Sequence, residues 1–104
     1  MKIELEKPYL VIGDKKVEML ATAGVASEIL KFSDARKNLK IENYLQEHIK
    51  IISKCFGVPV EEIQEKVALG VVIQKYFDCL EYVARLINEV ATGGNYNDKG
   101  AVMV

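Results

Sequence analysis

The sequence predicts a mainly α domain: about four helices with a long C-terminal helix, preceded by a short N-terminal β-hairpin that puts it at the margin of α+β. Three observations carry this. Tyr9-Leu10-Val11-Ile12 is a β-prone run followed by turn chemistry at Gly13-Asp14-Lys15. From Val25 onward, apolar residues recur at spacings of three and four, the period of an amphipathic helix. Gly57-Val58-Pro59 then divides that helical stretch. At 104 residues, half of them hydrophobic, the chain suits one domain with a real core. The expected organisation is a globular domain over 1–91, with the hairpin in 1–20 and helices in 22–91, and a flexible C-terminal tail over 92–104.

Each element has its own warrant. In the hairpin, Val17, Met19 and Leu20 supply the return strand, and Lys2–Leu5 is a candidate third strand. Thr22 is a candidate N-cap for a first helix reaching about Phe32, whose apolar face is Val25, Ile29 and Phe32. Ser33–Asn38 is polar and reads as a connection, with room for one extra turn. A second helix is predicted from about Leu39 to Phe56. Its apolar face is Ile41, Tyr44, Leu45, His48, Ile49, Ile52, Cys55 and Phe56, and Ile51 breaks the opposite polar side. Gly57 suits the left-handed residue that ends it. Val60-Glu61-Glu62-Ile63 opens a third helix, with its acids at the positive end of the helix dipole. Gly70 is expected to separate it from the last helix.

That last helix, roughly Val71 to Val90, carries two apolar stripes. One is Ile73, Phe77, Leu80, Ala84, Ile87 and Ala91. The other is Leu69, Val72, Tyr76, Cys79, Val83, Leu86 and Val90. A surface helix usually buries one sector of somewhat over ~100°. This one offers roughly twice that, so it is either the central core helix or presents a second face to a partner, and both can hold together. The expected partner-binding face is the second stripe, Leu69 through Val90, with Ile51 or Phe32 as a wall.

Charge and motifs exclude several classes. Fourteen basic and fifteen acidic residues leave a net charge of −1, which argues against a nucleic-acid binder relying on bulk positive charge. The longest run without a polar side chain, Val67 to Ile73, is far too short to span a bilayer. The alternating start Met1-Lys2-Ile3-Glu4 is not that of a signal peptide, so a cytoplasmic protein is expected. Cys55 and Cys79 lack zinc-site clustering and lie in apolar helical stretches, where an inert buried thiol is the ordinary outcome. His48 reads as a plain helix-face residue. Glu61, Glu62 and Glu65 read as a solvated helix start rather than a metal cluster. Lys31-Phe32 through Arg36-Lys37 and Lys40 is the nearest approach to a single-strand binding pattern, and it is short and flanked by acids. Arg85 is expected to pair with Glu81 or Glu89 along the polar strip of the last helix. No phosphate loop, dinucleotide fingerprint or nucleophile elbow occurs, so no catalytic residue, cofactor or metal is expected.

The order of elements resembles the tail assembly chaperones of long-tailed bacteriophages that infect Gram-positive bacteria, of the lactococcal-phage type. The likeness rests on Ile49, Ile52 and Phe56-Gly57, then Val60-Glu61-Glu62-Ile63, then Ile73, Phe77, Leu80 and Val83, and it covers about residues 9 to 91. It implies a non-enzymatic protein that multimerises and holds the apolar, helical tape measure protein soluble until the tail tube assembles. Such a protein works in the host cytoplasm and is absent from the mature virion. The alternative expectation is a small structural adaptor or regulatory partner of a phage, with fixed stoichiometry.

Overall fold

The computed structural model describes residues 2–3, 6–92 and 95–96. Its elements in chain order are β1 (Lys2–Ile3), β2 (Tyr9–Ile12), β3 (Lys15–Glu18), α1 (Ala23–Ala35), a 3₁₀ turn (Arg36–Asn38), α2 (Ile41–Phe56), α3 (Val60–Lys66), α4 (Leu69–Ala91) and β4 (Asn95–Tyr96). The fold is mainly helical with a short antiparallel N-terminal hairpin, as the sequence predicts.

The hairpin pairs β2 with β3 in a register that sets Tyr9 against Glu18 and Ile12 against Lys15. Only Gly13 and Asp14 lie between the strands. Gly13 takes φ +63° and, among the described residues, no non-glycine residue has positive φ, so Asp14 does not, the pattern of a type II′ turn. Leu10 and Ile12 point into the core while Tyr9 and Val11 face solvent. The hairpin is tied down by Leu20 N–H, which donates to Cys55 C=O at 2.8 Å. Lys2–Ile3 does not extend this sheet. It pairs in parallel with Asn95–Tyr96 instead. Of the tail expected over 92–104, residues 93–94 and 97–104 lie outside the described residues.

Thr22 caps α1 as expected, its hydroxyl accepting from Val25 N–H at 3.2 Å. The helix runs three residues past Phe32 and tightens into the 3₁₀ turn, so the predicted connection is mostly helical. α2 ends at Gly57, which is left-handed at φ +66°. Ser53 closes the end by accepting from Gly57 and Val58 N–H on its carbonyl, while its hydroxyl donates to Val58 C=O at 2.6 Å. A side chain at Gly57 would also press on Leu20, since a Cβ would lie 3.2 Å from Leu20 Cδ1.

Gly70 does not separate the last two helices. The break falls at Val67 and Ala68, both extended, and Gly70 lies in the first turn of α4.

The central helix is α2, not α4. It packs against α1, α3 and α4 and buries residues on several sides. Ile51, the apolar exception on its polar side, is buried for that reason. The core joins Leu10, Ile12 and Met19 of the hairpin to Ile29, Ile52, Phe56 and Ile63 of the first three helices, and closes on one face of α4.

Candidate functional site

One α4 stripe makes that closure. Val72, Tyr76, Cys79 and Val83 are buried, and Leu86 and Val90 are half-buried. Of the stripe expected to face a partner, only Leu69 at its start is exposed, at 62 %. The expected partner face is therefore the core face, and this corrects the sequence reading. The physical reason is that α4 lies across α2, and a helix crossing another can turn only one stripe toward it.

The other stripe is left at the surface. It lies about 100° around the helix from the buried one. Phe77 and Ile87 are 41 % and 49 % exposed, Ala84 and Ala91 are exposed, and Ile73 and Leu80 are half-buried. With Leu69 they form an apolar strip along the whole of α4. At its C-terminal end, Ile87 borders a shallow apolar groove of about 60 Å³ with Met19, Ala26, Tyr82 and Leu86. Of the polar residues beyond the strip, Lys75 lies 3.7 Å from Asp78, and Gln74 donates to Asp78 at 3.0 Å. The expected pairing of Arg85 with Glu81 or Glu89 does not form.

A second feature meets the strip near its N-terminal half. Arg36, from the 3₁₀ turn, stacks its guanidinium on Tyr76, Phe77 and Tyr44, with ring centroids 4.9, 4.8 and 5.4 Å away. Its Nη2 donates to the Tyr44 hydroxyl, and its Nε donates to His48 Nε2 at 3.3 Å. His48 Nδ1 sits 2.7 Å from Tyr44 C=O. A nitrogen that accepts from Arg36 leaves Nδ1 to carry the proton and donate, so the imidazole is the neutral Nδ1–H tautomer. The ring is buried edge-on against Phe32 and Tyr76. Burial holds its pKa below 6.5. The Tyr44 carbonyl opposes that shift and the Arg36 charge adds to it.

Arg36 has no carboxylate partner among the described residues. Sequence reasoning missed this cluster, because Arg36 lies outside every helical period. The nearest signal was Tyr44 and His48 four apart on one α2 face. The same geometry engages half-buried Phe32 and Arg36 with His48 and Tyr76, where a single-strand binding pattern would need them free to stack on bases.

The Tyr76 hydroxyl is buried beside this cluster with no hydrogen-bond partner among the described residues. An unsatisfied buried hydroxyl costs about 1–3 kcal/mol. Tyr76→Phe is therefore expected to stabilise the fold by about 1 kcal/mol, read as a higher urea midpoint with an unchanged slope. A loss of stability would mean that the hydroxyl has a partner in solution.

The cysteines are both buried, as their apolar surroundings predict. The neighbouring Cys55 thiol and burial push the Cys79 thiol far up, so it is not a nucleophile. Among the described residues, no group of three or more His, Cys, Asp or Glu could hold a metal ion, and no helix is long and apolar enough to cross a membrane. A polar cleft of about 290 Å³ between Pro8-Tyr9 and α4 holds Lys75, Asp78, Glu81 and Arg85, with charges of both signs. Comparison with known proteins gives no match among family models, curated proteins or solved structures.

Proposed function

We propose that the chain is a non-enzymatic assembly chaperone of the phage tail type. It associates with itself and holds an apolar helical client, the tape measure protein, soluble in the host cytoplasm until the tail tube assembles, and it is not retained in the virion. The observation that carries this reading is the apolar strip of α4, exposed at Leu69, Phe77 and Ile87 along a helix of 23 residues. A strip of that length matches the anchors an amphipathic helix presents at i, i+3, i+4 and i+7. Phe77 and the Arg36 stacked on it are residue types enriched where binding energy concentrates. Many such contacts along one long client give avidity while each stays releasable.

The test uses two probes. One is a fluorescein-labelled synthetic amphipathic helix with leucine at i, i+3, i+4 and i+7. The other is the tape measure protein of a lactococcal-type phage, co-expressed with the chain. The wild type is expected to bind the peptide and to raise the soluble fraction of the tape measure protein severalfold. Phe77→Glu with Ile87→Glu is expected to weaken peptide binding at least tenfold without loss of helix content. Equal binding by wild type and variant overturns the reading. A fixed one-to-one complex with a single partner, without peptide binding, replaces it with the adaptor alternative.

A further inference from the structure

We propose that Arg36 recognises a carboxylate: its outer guanidinium edge takes an Asp or Glu side chain that the bound helix carries beside its apolar anchors. The proposal rests on the reading of the α4 strip as the client's docking face. It adds the polar feature by which one amphipathic helix is preferred to another.

A guanidinium is a planar fork whose edges can each meet two acceptors at once. One edge is spent inside the fold, where Nε donates to His48 Nε2 at 3.3 Å and Nη2 donates to the Tyr44 hydroxyl. Nη1 has no hydrogen-bond partner among the described residues, and Nη2 has a second N–H, so the opposite edge is open. The imidazole and the phenol are both neutral, so neither supplies a negative charge to this half-buried cation. The acids near it along the chain and along α4 do not supply one either. Asp34 lies 3.9 Å from Lys37, Asp78 lies 3.7 Å from Lys75, and exposed Glu81, one turn beyond Phe77, makes no ion pair with Arg36. A cation drawn partly out of water is ordinarily matched by an anion.

The surroundings set the class of that anion. The groups packed on the guanidinium are the rings of Phe77, Tyr76 and Tyr44, with centroids 4.8, 4.9 and 5.4 Å away, and none is a second cation. The site offers one positive charge and one two-pronged edge. That matches a planar, singly charged carboxylate and falls short of a phosphate dianion, which calls for more donors. Phe77, 41 % exposed, is the apolar anchor beside it. A carboxylate on the flank of a helix, one turn from a side chain seated on Phe77, is placed to reach the open edge. Two hydrogen bonds and three rings already order the Arg36 side chain, so pairing costs it little rotamer freedom. An ion pair between two flexible, exposed side chains changes affinity by at most about fivefold. A pre-ordered fork is expected to exceed that.

The experiment uses the full chain and the fluorescein-labelled leucine helix. A single Glu is moved through the polar positions of the peptide, with Gln at the same position as its isostere. At positions one turn from an anchor, Glu is expected to bind the wild type about tenfold tighter than Gln at low salt, and the preference is expected to shrink as salt rises. Arg36→Gln is expected to bind both peptides alike. Lys37→Gln, which removes the exposed cation next along the chain, is expected to keep the preference. The wild-type comparison decides the matter even where Arg36→Gln does not fold. A second arm supplies a carboxylate without a helix: millimolar benzoate, against benzamide, is expected to move the Arg36 Nε–H resonance of the isotope-labelled wild type. A Glu preference without a benzoate shift assigns the carboxylate to the bound helix. Equal binding of every Glu and Gln pair, or a preference that survives Arg36→Gln, overturns the inference and leaves the chaperone reading standing. A benzoate shift with no peptide bound keeps the carboxylate site and removes the chaperone reading. Binding of neither peptide nor benzoate removes both.

Discussion

Val83→Glu is expected to unfold the domain. Val83 is 4 % exposed and lies on the α4 face that closes the core. A carboxylate there would be desolvated without a partner, or protonated at the cost of a raised pKa, and the lost apolar contact adds to that. The expected loss is at least about 4 kcal/mol, in the range of buried-charge substitutions. Circular dichroism and urea unfolding check it. Ile87→Glu, four residues further along the same helix but on the exposed strip, is expected to stay folded with a midpoint close to that of the wild type. The contrast is the sharpest test of how α4 is turned. A folded Val83→Glu with an unfolded Ile87→Glu would mean that the two stripes are exchanged.

The second large effect is at the Arg36–His48 cluster. Arg36→Ala leaves His48 Nε2 and the Tyr44 hydroxyl without their donor and uncovers three aromatic rings. The expected cost is about 2 kcal/mol. Arg36→Lys is expected to recover little of it, because an ammonium cannot stack on the rings and reach both acceptors in one plane.

The same cluster makes stability depend on pH. The unfolded chain holds His48 near its ordinary 6.5, and the folded protein holds it lower. Between those values the unfolded state binds more protons, so stability falls as pH drops through this range and is fully present above 6.5. Protonated, the ring would face the Arg36 cation across 3.3 Å and lose its acceptor role. Of the groups in contact with His48, Arg36 is a cation, Tyr44 and Tyr76 are phenols and Phe32 has no charge, so none neutralises an imidazolium. Glu28, held low chiefly by its hydrogen bond to Lys54, weakens only below its ordinary 4.5 and so acts outside this window. Urea midpoints at pH 7.5 and 5 are expected to differ in the wild type and to converge in His48→Leu. An equal pH dependence in both would locate the effect elsewhere.

Periodicity made the helices legible because each was built from one repeated relation between neighbours. Thr22, Gly57 and Gly13-Asp14 did the same for three boundaries, since a cap or a turn is local chemistry. The break before α4 was misplaced at Gly70 because glycine is a breaker only where the backbone must leave the helix, and here Val67 and Ala68 do that. His48 was read as an ordinary face residue because its burial depends on Phe32, 16 positions earlier, and Tyr76, 28 positions later.

The sequence by itself determined the class of fold, the number and order of helices, the burial of both cysteines, and the excess of apolar surface on α4. All of these follow from composition and from spacings within a few residues. Only the tertiary structure decided which α4 stripe enters the core, that α2 is the central helix, and that Arg36 is held among aromatic rings. The two stripes share one spacing, and nothing local distinguishes them. The choice is made by the crossing of α4 over α2, a relation between two helices that Gly57–Ala68 separates, and that crossing buries the stripe of Val72 and Val83 and leaves the stripe of Phe77 and Ile87 exposed.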